Sequence, residues 1–253
     1  DFGKAPNGEV VKKFKLTNSN GLSMEVINYG AIITNLNVPD SSGSLKDVVL
    51  GFNDFNNYYE NNPYFGAIIG RYGNRISNGT FLLDGVRYEL EQNNGTNSLH
   101  GGLVGFDKVF WKFIEEKSSN QSLYFEYYSK DMEGGFPGNL VVGVEYILND
   151  SNELKIKYTA STDKKTIINL TQHSYFNLSG ESSGDILDHI LNIDAEYYLP
   201  VNENMIPYGP YEKVESTPFD FTIPKKIGLD IFSDDITSKN IGYIVPTRMT
   251  VKK

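Results

Sequence analysis

The sequence predicts an all-β protein, a sandwich or barrel of short antiparallel strands. Three observations predict it. Apolar residues alternate with polar ones at period two: Val86, Tyr88 and Leu90 with Arg87 and Glu89, and Leu154, Ile156 and Tyr158 with Lys155 and Lys157. Turn signals recur about every ten residues. No stretch of a dozen residues carries apolar positions at i, i+3, i+4 and i+7, so helix signals are thin. Aromatic residues make up 13% of the chain, with 17 Tyr and 15 Phe, which suits half-buried pleated faces or a surface that stacks on flat ligands.

The turns divide the elements in order. Asp84-Gly85 lies between Phe81-Leu82-Leu83 and Val86-Arg87-Tyr88 and predicts a two-residue hairpin, because both positions of such a turn need positive φ. Ser118-Ser119-Asn120-Gln121 joins VFWKFIEE (109–116) to SLYFEYYS (122–129). Asn149-Asp150-Ser151-Asn152 joins VVGVEYIL (141–148) to ELKIKYTA (153–160). Thr166-Ile167-Ile168-Asn169-Leu170 reads as a further strand leading into TQHSYFNLSG (171–180). No repeat, low-complexity tract or linker interrupts the chain, and 253 residues are read as a single domain, 1–253.

Composition narrows the functions. A net charge of −9 disfavours nucleic acid, since phosphate binding needs a basic face. The chain has no cysteine, which removes disulfides, thiolate metal sites and a cysteine nucleophile together. No apolar run approaches the ~20 residues of a membrane-spanning helix, and no membrane partner is expected. A cytoplasmic location is expected, with secretion as the alternative if a leader was removed before Asp1.

Three polar segments carry candidate chemistry. GRYGNRISNG (70–79) lacks the Lys-Ser/Thr of a phosphate loop, but Asn74 and Arg75 are planar groups that can hold hydroxyls through directional hydrogen bonds. Taken alone, a turn with a solvated arginine is the plainer reading. NNGTNSLHGG (93–102) sets His100 before two glycines, which permit close approach. His100 follows Arg75 with one hairpin between, so the two fit neighbouring strands. In TQHSYFNLSG, a core-facing Leu170 puts Gln172 on the same face and His173 with Tyr175 on the other. A histidine there, beside hydroxyls and amides, suits general acid or base work near neutrality. His189, in GDILDHIL (184–191), reads as structural. The three histidines share no metal-ligand spacing, and no Gly-x-Ser-x-Gly elbow supports a serine nucleophile.

Together and in order, these segments resemble the galactose mutarotase (aldose 1-epimerase) family. The matching stretches are NYGAIITNLNVPD (28–40), DVVLGF (47–52), YFGAIIGRYGNRISNGTFLLDG (64–85), NSLHGGLVGFDKVFW (97–111), GGFPGNLVVGVEYIL (134–148), TQHSYFNLSG (171–180) and ILDHILNIDAEYYLPVNENMIPYG (186–209). The resemblance implies a large antiparallel β-sandwich, the galactose mutarotase-like supersandwich, with an aldohexose such as galactose or glucose held in an open groove. It implies interconversion of α and β anomers with no cofactor and no metal. Carried over by motif, Asn74, Arg75 and His100 hold substrate, His100 sits at the reacting centre, and His173 is the general acid that protonates the ring oxygen.

The resemblance ends near Gly242-Tyr243. The family's Gly-Tyr-Asp-His would place an aspartate where Ile244 stands, and the tail 244–253 does not resemble the family. The catalytic glutamate that acts as base has no counterpart, so the base is unassigned; no motif places Asp188, Glu215 or Asp220 in that role. The expectation is therefore a C-terminally incomplete sandwich with exposed sheet edges, prone to self-association. Its activity is expected to fall by the ~10²–10⁴-fold that one acid–base group supplies. Two other functions follow from the same residues. One is a non-catalytic carbohydrate-binding or regulatory protein that keeps the groove. The other is an epimerase of sugar phosphates, ranked last because Arg71 and Arg75 make a small basic cluster.

Overall fold

The computed structural model describes residues 1–232, 242–244 and 248–252. They group into two compact units, Asp1–Phe176 and Asn177–Lys253.

The first unit is built on two four-stranded antiparallel sheets. Strands Lys13–Thr17, Ser23–Ile27, Ile33–Pro39 and Leu45–Asp47 form one, in that order. Lys112–Phe113, Ser122–Ser129, Leu140–Leu148 and Leu154–Thr162 form the other, also in chain order. Their inner faces share one core. Met24, Val26 and Leu36 from the first sheet join Phe125, Val142, Val144 and Tyr146 from the second. This is the sandwich architecture the alternation predicted. Tyr146 and Trp111 take their polar ends into that core only because each finds a partner. The Tyr146 hydroxyl donates to the Ala31 carbonyl at 2.7 Å, and the Trp111 indole N–H to the Phe106 carbonyl at 3.0 Å.

The predicted hairpins form. Thr80–Leu83 pairs with Val86–Glu89, and Asp84 and Gly85 adopt φ of 49° and 80°, the left-handed pair that a tight hairpin turn demands. Leu148 faces Leu154 across the 149–152 turn, where the Asn149 carboxamide oxygen accepts from the Ser151 and Glu153 amides, each at 3.0 Å. Two expectations differ. Of residues 109–116 only Lys112–Phe113 joins the ladder, and Glu115–Lys117 forms a 3₁₀ turn. There the Ile114 amide still donates to the Tyr124 carbonyl at 2.9 Å, but the Ser118 hydroxyl donates to the Ile114 carbonyl and accepts from the Tyr124 amide, so a side chain replaces the return bond. Thr166–Leu170 is not a strand. Instead its Asn169 exchanges bonds with 71–73, accepting from the Gly73 amide at 2.7 Å and donating through its own amide to the Arg71 carbonyl at 2.9 Å. Among the described residues the one α-helix is Phe55–Asn61, capped by Asp54, whose carboxylate accepts from the Asn57 amide at 3.0 Å.

Two short ladders carry the candidate site: Arg75–Ile76 with Ser98–Leu99, and Ile68–Ile69 with Thr171–Gln172. In the second unit, Ile190–Asp194 lies between Lys225–Lys226 and Arg248–Lys252, and Tyr197–Pro200 between Glu212–Lys213 and Gly242–Ile244. Residues 245–247 and 253 of the divergent tail lie outside the described residues. His189 is buried, and its Nε2 accepts from the Leu178 amide at 2.9 Å, a structural role. No helix among the described residues is long and apolar enough to cross a membrane.

Phe125 is fully buried and packs its ring against Phe14, Phe113 and Tyr146. Phe125→Ala should lower unfolding free energy by ~3–5 kcal/mol, the cost of truncating a buried aromatic. Urea denaturation checks this, and a loss under ~1 kcal/mol would show that the two sheets do not share a packed core.

Candidate functional site

The first wall of the site grows from the ladder in which Leu99 faces Arg75, which sets His100 opposite Asn74. Both residues have positive φ, 55° at His100 and 72° at Asn74, so the backbone turns away from the ladder at the same level on both strands. They are then tied twice. The His100 amide donates to the Asn74 carbonyl at 3.0 Å, and the Asn74 amide donates to His100 Nδ1 at 2.9 Å. An acceptor Nδ1 leaves the proton of the neutral ring on Nε2. Gly101 follows with φ 97°, and a Cβ there would stand 1.9 Å from the Gly70 carbonyl oxygen. Only glycine lets the two loops pass this closely.

The second wall is the segment 171–175. His173 donates its amide to the Ala67 carbonyl at 2.9 Å, extending the ladder by one bond. Gln172 donates through its side chain to the Gly66 carbonyl at 2.9 Å and the Ser174 hydroxyl at 2.8 Å. With Gln172 engaged below, His173 and Tyr175 share the other side, their rings 5.1 Å apart, as the alternation predicted. No hydrogen bond from the described residues reaches the imidazole nitrogens of His173, in contrast to His100.

These walls enclose an open cleft of about 540 Å³, lined by Asn74, His100, Asn169, His173, Ser174 and Tyr175 among others. The two imidazoles meet edge to face with centroids 5.2 Å apart. Arg75 adjoins through Asn74: its Nη1 donates to Asn74 Oδ1 at 3.4 Å, while its Nε donates to Asn94 Oδ1 at 2.8 Å. Arg71 does not join it. Its guanidinium is buried and donates to the Ser129 hydroxyl and to the carbonyls of Ser129, Lys130 and Pro137. That removes Arg71 as a partner of Arg75 for a phosphate. Of the other carboxylates weighed in the sequence, Asp188 pairs with Lys226 at 2.7 Å and Asp220 accepts from the Thr222 amide and hydroxyl. No carboxylate lines the cleft among the described residues.

Sequence reasoning missed Tyr64, Asp107 and Lys108. The Tyr64 ring lies 4.7 Å from His100 and 5.5 Å from His173, and the Lys108 ammonium sits 5.3 Å above it. Asp107, 4% exposed, pairs with that ammonium at 2.7 Å. Burial pushes the Asp107 carboxyl up against the downward pull of Lys108. His100 is pulled down to about 4, chiefly by burial, then by His173, Arg75 and Lys108. It is a fixed neutral donor at neutral pH.

The sandwich fold agrees with the comparisons. The aldose 1-epimerase family model matches residues 12–244, and the chain belongs to that family. The chain is 46% identical over 228 residues to the galactose mutarotase of Sus scrofa, covering 90% of this chain and 65% of that one. It is 38% identical over 239 residues to the aldose 1-epimerase of Escherichia coli strain K12, covering 94% of this chain and 68% of that one. The crystal structure of galactose 1-epimerase from Lactobacillus acidophilus NCFM superposes with a TM-score of 0.82 at 25% identity, covering 96% of this chain and 78% of that chain. The chain thus spans about two thirds of the length of the curated relatives it matches.

The His100 geometry sets a pH dependence. Its folded pKa, about 4, lies below the ordinary 6.5, so the unfolded chain binds the extra proton first as pH falls. The His100 contribution to stability is therefore complete above 6.5 and is lost as pH falls towards 4. Nitrogen-15 NMR of the imidazoles should show His100 as the Nε2–H tautomer, unprotonated at pH 5. A protonated His100 at that pH would show the ring to be solvated and its bond from the Asn74 amide broken.

Proposed function

We propose that the chain is an aldose 1-epimerase, interconverting the α and β anomers of a hexose such as galactose or glucose. The observation that carries this is the pair of histidines in one cleft, one wired and one not. His100, with Nδ1 occupied by the Asn74 amide, offers a permanent Nε2–H to a substrate oxygen. His173 keeps its nitrogens for substrate and is the general acid. It gives its proton to the ring oxygen as the bond from that oxygen to C1 breaks. A base removes the proton from the C1 hydroxyl, leaving an open-chain aldehyde. Rotation about C1–C2 and closure on the other face complete the exchange, returning both protons. The Asn74 carboxamide and the Arg75 guanidinium hold hydroxyls through directional bonds.

A second reading has one observation in its favour. No carboxylate lines the cleft among the described residues, so the base is not assigned to any of them. A groove with an acid and donors but no base binds sugar without turning it over.

Polarimetry separates the two. Fresh α-D-galactose should lose its excess rotation faster with the chain than in buffer, and His173→Ala should reduce that acceleration by ~10²–10⁴-fold, the worth of one general acid. Saturable binding of galactose without acceleration would favour the second reading. No binding and no acceleration would overturn both.

A further inference from the structure

We infer that Tyr64 is a positioning residue, a wedge that sets the distance and angle between His100 and His173. The inference rests on the proposed function for its kinetic consequence but not for its geometry. Tyr64, His100 and His173 form a closed triangle of rings, with centroid separations of 4.7, 5.5 and 5.2 Å. Edge-to-face and tilted contacts at these separations are attractive and directional. Each ring is therefore held by two others.

The backbone of Tyr64 is arranged for this. Its φ is 67°, a left-handed conformation that is unfavourable for a bulky residue and persists only where the surroundings impose it. The surroundings here are the Ala67 amide, which donates to the Tyr64 carbonyl at 3.2 Å, and the Asn62 carboxamide, which accepts from the Phe65 amide at 2.7 Å. The same turn delivers Gly66 and Ala67, the two residues that bond the backbone of His173. One turn thus fixes the main chain of His173 and, through the ring, its side chain.

Behind Tyr64 stands a charge layer. The Lys108 ammonium lies over the ring, and buried Asp107 holds it. The charged and titratable groups around His100 are His173, Arg75, Tyr64 and Lys108, with Asp107 beyond Lys108. Around His173 they are His100, Tyr64, Tyr175 and Asp107. Two cations and burial oppose a proton on His100. Removing the Tyr64 ring takes away one of the groups that bury His100, so the largest of these effects weakens.

NMR of the native protein with labelled histidine and tyrosine tests the arrangement directly. Cross-relaxation from the Tyr64 ring to both imidazoles is expected, and its absence from either one overturns the inference whatever any variant does. Tyr64→Leu should raise the His100 titration midpoint by about one unit or more, as expected when burial is relieved. It should also weaken the cross-relaxation between the two histidines. Tyr64→Phe, which keeps the ring, should restore both. In polarimetry Tyr64→Leu should lower kcat by roughly ten-fold or more while KM changes little, the mark of misplacement in the transition state. A folded Tyr64→Leu protein with native His100 titration and native histidine cross-relaxation would overturn the inference. Native chain with no anomerase activity would defeat the proposed function and leave the NMR result to decide this one.

Discussion

The site depends on the double tie between Asn74 and His100. The ladder beneath it, Arg75–Ile76 with Ser98–Leu99, is two residues long, too short to hold a loop by itself. Side-chain amides supply what the ladder lacks. Asn93 accepts from the Leu99 amide at 2.7 Å and donates to the Leu99 and Gly102 carbonyls, each at 2.9 Å. Asn97 accepts from the Asn78 amide at 3.1 Å, and Asn94 from Arg75 at 2.8 Å. The asparagine-rich run 93–97 therefore acts as a piece of folded backbone, satisfying main-chain groups that no strand reaches. This explains why so polar a loop can place a histidine accurately.

The same physics decides what the sequence revealed. The hairpins at 84–85 and 149–152 were legible because their chemistry is local: Asp-Gly tolerates two positive φ values, and Asn149 closes its own turn. The segment 166–170 was misread as a strand, because its Asn169 bonds to the irregular residues 71–73, far away in sequence. Phe55–Asn61 is too short for periodicity to register, and its Asp54 cap shows only in the structure. Arg71 and Arg75 look alike in GRYGNRI, yet one is consumed by carbonyls of the 129–137 segment and the other borders the cleft. Nothing local separates them.

The site followed the same division. His100 and His173 stood out as histidines in polar segments, and the glycines after His100 announced close passage. Tyr64 gave no signal. Its importance lies in a left-handed backbone at a non-glycine residue and in contacts with positions 100, 108 and 173. A tyrosine beside Phe65 in a chain with 17 tyrosines reads as ordinary core.

Two histidines in contact would be a poor pair if both titrated freely, since a proton on one would oppose a proton on the other. The fold prevents this by treating them differently. His100 spends its Nδ1 on the Asn74 amide and lies under burial and two cations, so it holds one proton on Nε2 and trades none near neutrality. Among the described residues His173 is bonded only through its backbone to 66–67 and by ring contacts. On the proposed reading, proton transfer then has one route at this end of the sugar. On the same reading the substrate is neutral, and a chain of net charge −9 can still gather Arg75 and Lys108 around His100. Both cations help to keep the His100 imidazole neutral, and that task does not need a basic surface.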